Sequence, residues 1–282
     1  MVKKVGIVGL GQMGGGIAQI AASGYRVVAN EVSEELIDRG LGGIEKRLNK
    51  AVEKEKISKE DRDKILGNIE TSTELESLAD CDLVIEAVIE DMMTKKEVFG
   101  ELDKICKPET ILATNTSSLP VGDLSTATGR RDKFVGLHFF NPVPIMKLVE
   151  VVRTLDTSNE TFETAKSFAE SLGKVVVSAK DSPGFVVNVL LIPYLLDGIR
   201  HFENGLASRE DIDNAMKLGC GHPMGPLTLT DFIGLDTTLY IADIFFNEFK
   251  DNRYAAPPLL RRMVNAGYLG KKSGRGFYDY RQ

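Results

Sequence analysis

The sequence predicts an α/β protein: a doubly wound, mostly parallel sheet with an inserted helical hairpin, followed by a smaller all-helical domain. Three observations predict it. Short β-branched apolar runs recur without alternating polar residues, the mark of strands buried on both faces. Segments of helical spacing separate those runs. A glycine cluster, G-x-G-x-x-G at Gly9, Gly11 and Gly14, follows the first run directly.

That first run is Val5 to Val8. Ile17, Ala18, Ile20 and Ala21 then continue with helical spacing, Gly24 stops the helix, and "RVVAN" from Arg26 is a second strand. Glu31 ends it, twenty residues after Gly11. Each part has a physical task. Gly9 permits the tight turn, Gly11 lets backbone approach a pyrophosphate, and Gly14 lets the helix lie close to the strand. Gln12 and Met13 lie inside the same turn. The helix start offers free N–H groups and a positive dipole end to phosphates. Glu31 would accept hydrogen bonds from ribose hydroxyls and repel a 2′-phosphate; no arginine lies next to it, so NAD is expected over NADP. Alone, the glycine motif describes any glycine-rich turn. Flanked by strand, helix, strand and acid at these spacings, it specifies a Rossmann-type dinucleotide site.

Residues 34–68 break the alternation. Leu36, Ile37, Leu41, Ile44, Leu48, Val52 and Ile57 follow helical spacing, and "SKED" at 58–61 is a capping box opening a second helix. We therefore expect a helical hairpin inserted after the second strand. Its exposed face is expected to carry Lys46, Arg47, Lys50, Lys54 and Lys56. Most such faces are simply solvated. This one is more basic than a chain of net charge −6 predicts, which makes it a candidate anion site.

The strand–helix alternation then resumes. "CDLVIEAV" (81–88) is a strand, "KKEVFGELDKIC" (95–106) a helix, and "TILATN" (110–115) and "FVGLHFF" (134–140) are strands. "LVEVVR" (148–153) and "KVVVSAK" (174–180) follow, with a helix between them over about 158–172. Polar clusters sit at strand ends: Glu86 to Glu90, "NTSS" at 115–118 and "HFFNP" at 138–142. Doubly wound sheets bind their ligands there. "DSPGF" (181–185) is a hinge, because Pro183 cannot continue a strand and Gly184 opens a turn. It divides a dinucleotide-binding domain, 1–182, from a helical domain, 183–282. In the latter, 185–202 is a long amphipathic helix, Ser208 caps another, "HPMGP" (222–226) is a rigid break, and helices cover roughly 228–250 and 257–266. The long apolar helices suit a folded core or a dimer contact.

Bulk properties agree. A length of 282 residues accommodates two domains, and 43% hydrophobic with 27% charged residues is ordinary for a globular enzyme. The acidic balance disfavours nucleic acid and anionic membrane as partners. Cys81, Cys106 and Cys220 are odd in number and match no metal-ligand spacing, so they read as reduced thiols of a cytoplasmic protein, and no metal is expected. Glycines interrupt the apolar start, so it is not read as a secretory leader, and no run is long enough for a membrane span.

"FVGLHFFNPVPIMKLVEVV" (134–152) holds one of the three histidines, His138, and a single carboxylate, Glu150. In so apolar a stretch they are either two incidental polar residues or a proton-transfer pair. The chain as a whole decides. "GLGQMGGGIAQ", "CDLVIEAV", "ATNTSSL", "HFFNPVPIMKLVEVV", "DSPGFVVN", "HPMGPLTLTDFIGLD" and "GKKSGRGFYDY" together resemble the short-chain L-3-hydroxyacyl-CoA dehydrogenases, especially the bacterial 3-hydroxybutyryl-CoA dehydrogenases. The resemblance covers essentially the whole chain. It implies NAD-dependent oxidation of short-chain (S)-3-hydroxyacyl-CoA in a cytoplasmic homodimer, with the helical domain completing the substrate cleft and dimerising.

The resemblance also implies roles. His138 matches the general base and Glu150 the carboxylate that orients it. Ser117 and Asn188 match residues that hydrogen-bond the substrate 3-oxygen. Asn115 and Asn141 match positions near the nicotinamide or the thioester, and Glu90 and Lys95 a loop that contacts the cofactor. Lys50 and Lys54 match the region that meets CoA. The chemistry of histidine supports the first assignment independently: its ordinary pKa of ~6.5 suits proton exchange near neutrality. Three positions depart from the family pattern. Glu31 replaces the more usual Asp, Thr114 a frequent Ser, and Val189 an Arg. Two other readings compete: a dehydrogenase of a free 3-hydroxy acid such as a sugar acid, and a non-catalytic NAD-binding structural protein. The basic face opposes the first. The presence of Ser117, His138, Glu150 and Asn188 together opposes the second.

Overall fold

Non-alternating apolar runs become the centre of one eight-stranded sheet in the computed structural model, which describes residues 2–281. β1 (Lys4–Val8) continues into α1 (Gln12–Ala21) and β2 (Arg26–Asn30). The chain then forms α2 (Glu34–Glu53), α3 (Lys59–Gly67) and β3 (Ile69–Ser72). β4 (Leu83–Glu86), α4 (Met92–Ile105), β5 (Ile111–Thr114) and the short α5 (Val121–Ser125) lead to β6 (Phe134–Phe139), β7 (Leu148–Arg153), α6 (Asn159–Ser171) and β8 (Val175–Lys180). The strand order is β3-β2-β1-β4-β5-β6-β7-β8. Every pair is parallel except β6 with β7. The sequence order reverses between β1 and β4, the switch point at which such sheets open a ligand crevice.

One expectation changes. The α2–α3 hairpin is the crossover from β2 to an edge strand, β3, which the sequence did not reveal. "IETS" holds one apolar residue and is only partly buried, so no strand pattern marks it. The Ser58–Asp61 capping box does form. A continuous core beneath the sheet joins Ile7, Ile17, Ala18, Ile44, Leu48, Leu137 and Phe168.

The chain divides into two compact units, Met1–Ser182 and Pro183–Gln282. The second consists of α7 (Val187–Glu203), α8 (Arg209–Asn214), α9 (Pro226–Ile233), α10 (Leu235–Phe249) and α11 (Pro258–Asn265). The single helix expected over roughly 228–250 is broken at Gly234, where the backbone turns to φ 108°. Its own core gathers Ile192, Leu196, Leu227, Leu235, Phe245 and Phe277. Val189, in place of the family's Arg, packs against that core. Asp231 ties the closing glycine-rich segment down by accepting from the Phe277 and Tyr278 N–H groups at 2.8 and 2.9 Å.

Candidate active site

His138 and Glu150 are register partners in the antiparallel β6–β7 pair. Directly opposed side chains in such a pair lie within contact, and a one-residue slip would turn both to the other face. The apolar residues around them fix that register, since Leu137, Phe139, Val149 and Val151 are buried. His138 Nδ1 lies 2.6 Å from Glu150 Oε2, with side chains 7% and 0% exposed. A carboxylate at Nδ1 holds the proton there, so Nε2 is the basic nitrogen of the neutral ring. The Phe140 ring lies 4.4 Å from the imidazole, centroid to centroid.

Two asparagines connect this pair to neighbouring loops. Asn115, just after β5, accepts the Phe139 N–H at 2.9 Å through Oδ1. Asn141 Oδ1 accepts from Gln12 Nε2 at 3.0 Å, which brings the β6–β7 loop to the start of α1. Lys174 pins the same loop by donating to the Val143 and Met146 carbonyls at 2.6 and 2.7 Å. Burial pushes the Lys174 ammonium below its ordinary pKa.

The start of α1 fits a dinucleotide. A Cβ at Gly14 would lie 1.8 Å from the Gly9 carbonyl oxygen, so only glycine allows the helix to rise this close to the strand end. A Cβ at Gly11 would meet nothing within 4 Å, so this residue faces open space. No side chain caps α1 at Gly11. Met13 is partly buried against the core. The Glu31 carboxylate accepts the Leu10 N–H at 2.7 Å and the Val32 N–H at 3.1 Å. A cavity of about 350 Å³ is lined by Gly11, Gln12, Glu31, Arg39 and Arg47, among others. Open backbone at a helix start, beside a fixed carboxylate, matches a pyrophosphate and a ribose diol. No arginine is next to Glu31 in the sequence, but the fold brings one to the cavity that Glu31 lines. Arg39 is distant enough in sequence to escape notice, yet two turns of helix return it to the same cavity.

Glu86, Glu90 and Lys95 form a second cluster. Lys95 lies in helix α4, as the helical reading of 95–106 expects, and its side chain is 1% exposed. Its Nζ lies 2.6 Å from Glu86 and 3.4 Å from Glu90. Thr114 Oγ1 donates to Glu86 at 2.8 Å, so the family's Ser-to-Thr change keeps its hydroxyl in use. Glu90 Oε1 accepts from Thr116 Oγ1, the Ser117 N–H and Ser118 Oγ at 2.7, 2.9 and 3.1 Å. Burial drives the Glu86 carboxyl above its ordinary pKa, against the pull of Lys95. Burial also pushes Glu90 upward, but the Lys95 charge and the donors of the 116–118 loop outweigh it and hold that carboxyl low.

The structure thus gathers Gly9 to Gly14, Glu31, Asn141, Asn115, His138 and Glu150 around the strand ends of the first unit, with Glu90, Lys95 and Ser117 in an adjoining cluster. Lys50 and Lys54 are exposed at the far end of α2. Arg47 departs from that exposed face: it is half-buried, its Nε donating to Gln19 at 2.8 Å. Asn188 lies in the first turn of α7, in the second unit. Glu86 and Lys174 were missed as site residues. A charge inside "LVIEAV" was the available signal for the first, and a lysine beginning an apolar strand for the second. Among the described residues, no group of three His, Cys, Asp or Glu side chains could hold a metal ion.

Comparison with known proteins agrees along the whole chain. Residues 4–182 match the family model of the 3-hydroxyacyl-CoA dehydrogenase NAD binding domain, and residues 184–280 match that of the 3-hydroxyacyl-CoA dehydrogenase C-terminal domain. The chain is 51% identical over 282 residues to the 3-hydroxybutyryl-CoA dehydrogenase of Mycobacterium tuberculosis, covering 99% of each. It is 49% identical over 278 residues to that of Clostridioides difficile, covering 98% of this chain and 99% of the relative. A solved structure of (S)-3-hydroxybutyryl-CoA dehydrogenase from Ralstonia eutropha superimposes with a TM-score of 0.97 at 43% identity, covering 100% of both chains.

Proposed function

The chain belongs to the 3-hydroxyacyl-CoA dehydrogenase family, and on that premise we propose that His138 and Glu150 are the acid–base pair of its reaction. The enzyme oxidises a short-chain (S)-3-hydroxyacyl-CoA to the 3-oxoacyl-CoA with NAD. One observation carries the residue assignment: the 2.6 Å contact between His138 Nδ1 and a fully buried Glu150 in otherwise apolar surroundings.

The nicotinamide, when bound, supplies the acceptor for the hydride that leaves C3. His138 Nε2 takes the proton of the 3-hydroxyl as the C–O bond gains double-bond character. Glu150 holds the ring in its reactive tautomer and stabilises the imidazolium that results, as the acid of a Ser-His-Asp triad does. In the reverse direction the same nitrogen returns the proton to the forming alkoxide. Ser117 and Asn188 hydrogen-bond the 3-oxygen in this reading. Gly9, Gly11, Gln12, Met13, Gly14 and Glu31 hold the cofactor, with Glu90, Lys95, Asn115 and Asn141. Lys50 and Lys54 meet the CoA phosphates.

We place the enzyme in the cytoplasm as a homodimer. Cys81 and Cys106 are buried free thiols and Cys220 is an exposed one, which suits a reducing compartment. Among the described residues no helix is long and apolar enough to cross a membrane. Large apolar side chains of the helical unit stand exposed, among them Leu218 at 85% and Leu190 at 69%, as a self-association face requires.

Turnover with acetoacetyl-CoA and NADH, set against free acetoacetate, tests the function. Fast oxidation of NADH with the CoA ester alone is expected, with KM for the ester raised in the Lys50→Ala/Lys54→Ala variant. Equal rates with the free acid would contradict the role of the basic helix.

A further inference from the structure

We propose that Glu86, which has no part in the proton transfer, supplies a buried negative charge at the nicotinamide end of the crevice and so favours bound NAD over bound NADH. The inference rests on the dinucleotide reading of the strand ends. It concerns which redox state of the cofactor the enzyme holds more tightly.

The strand order places Glu86. Glu31 follows β2 and the glycine turn follows β1, while Glu86 and Thr114 are the last residues of β4 and β5, and His138 is the last but one of β6. These five strands are neighbours in that order, and all their pairings are parallel. A dinucleotide with its ribose at Glu31 and its nicotinamide within reach of His138 therefore crosses the ends of β4 and β5. Neighbouring strands are ~4.8 Å apart, so β4 lies about 10 Å from β6. The ladder also carries on past the strand ends at this point. The Ala87 N–H donates to the Val8 carbonyl at 2.8 Å, and the Asn115 N–H donates to the Glu86 carbonyl at 2.9 Å.

The surroundings of Glu86 favour its ionised form. Its Oε1 accepts from Lys95 Nζ at 2.6 Å and from the Val88 N–H at 2.8 Å, and its Oε2 accepts from Thr114 Oγ1 at 2.8 Å. Burial pushes its pKa up, and the ammonium and the two further donors act against that. Lys95 also reaches Glu90, at 3.4 Å. One ammonium shared between two carboxylates compensates only one of them. Little water screens the remainder, since the Glu86 and Lys95 side chains are 0% and 1% exposed. The oxidised nicotinamide carries a positive charge and the reduced ring carries none. The excess negative charge therefore attracts the first and is indifferent to the second. As hydride leaves the reduced ring, the same charge stabilises the cation that forms, so Glu86 favours reduction of the 3-oxo ester.

The test is direct binding of NAD and NADH, by calorimetric titration, to wild type, Glu86→Gln, Glu86→Ser and Glu86→Asp. Two neutral replacements guard against one that misfolds, thermal melts report folding, and Glu86→Asp keeps the charge. A neutral variant should lose affinity for NAD by at least ~5-fold more than it loses affinity for NADH, while Glu86→Asp keeps the wild-type ratio. Equal losses for the two cofactors in a folded neutral variant would overturn the proposal and leave Glu86 a purely structural residue. So would a Glu86→Asp variant whose ratio shifts as that of Glu86→Gln does. Loss of folding in both neutral variants would likewise assign the carboxylate to the fold and not to the cofactor. Failure of wild type to bind either cofactor would remove the dinucleotide reading itself, a result distinct from these.

Discussion

His138 and Glu150 are twelve residues apart in the chain and 2.6 Å apart in the fold. The sequence made them legible as a candidate pair because so little else polar surrounds them. The short link between the two strands is too brief for a parallel crossover and so points to an antiparallel pair, but it does not fix the register that sets His138 opposite Glu150. The geometry predicts the outcome of Glu150→Gln. An amide in place of the carboxylate can present N–H to Nδ1 and so favour the tautomer protonated on Nε2, which is not a base. Steady-state kinetics should show kcat reduced by ~10²–10⁴, with the KM for NADH little changed. An unaltered kcat would remove Glu150 from the mechanism.

The joint between β4 and α4 shows what the sequence conceals in an element. The polar cluster from Glu86 to Glu90 is visible at a strand end, and the family resemblance names Lys95 with Glu90, but that Lys95 is buried and paired with both carboxylates is not legible. Lys95 falls in the first turns of α4, and only the way that helix lies on the sheet turns it inward to a buried site. β3 was hidden for a related reason: an edge strand needs few apolar residues, and "IETS" offers one. The Glu90 pairing carries a pH signature. Its folded-state pKa is depressed, so its stabilisation is present above the unfolded value and is lost as pH falls through the folded one. Thermal melts should show wild type more stable than Glu90→Gln at neutral pH, with the gap closing at acid pH below the ordinary carboxylate range. A gap that widens on acidification would contradict the assignment.

For the whole molecule, the division into a sheet unit and a helical unit followed from the change of hydrophobic period at "DSPGF". What the sequence could not give was which helical faces remain uncovered, because helices with long apolar stretches read alike whether they fill a core or meet a partner. Leu190, Leu218 and Phe232 stand exposed in the helical unit. The solution mass, from sedimentation or light scattering, should be twice that of the 30.9 kDa chain. Replacing exposed apolar side chains such as Leu190 and Leu218 by charged ones should reduce it, and a wild-type mass of one chain would contradict the dimer.

The chemistry itself is tested most directly in His138→Gln, by measuring NADH affinity and acetoacetyl-CoA turnover on the same preparation. Proton transfer through His138 predicts unchanged NADH binding with kcat reduced by ~10²–10⁴. Unchanged binding with undiminished kcat would show that another group moves the proton.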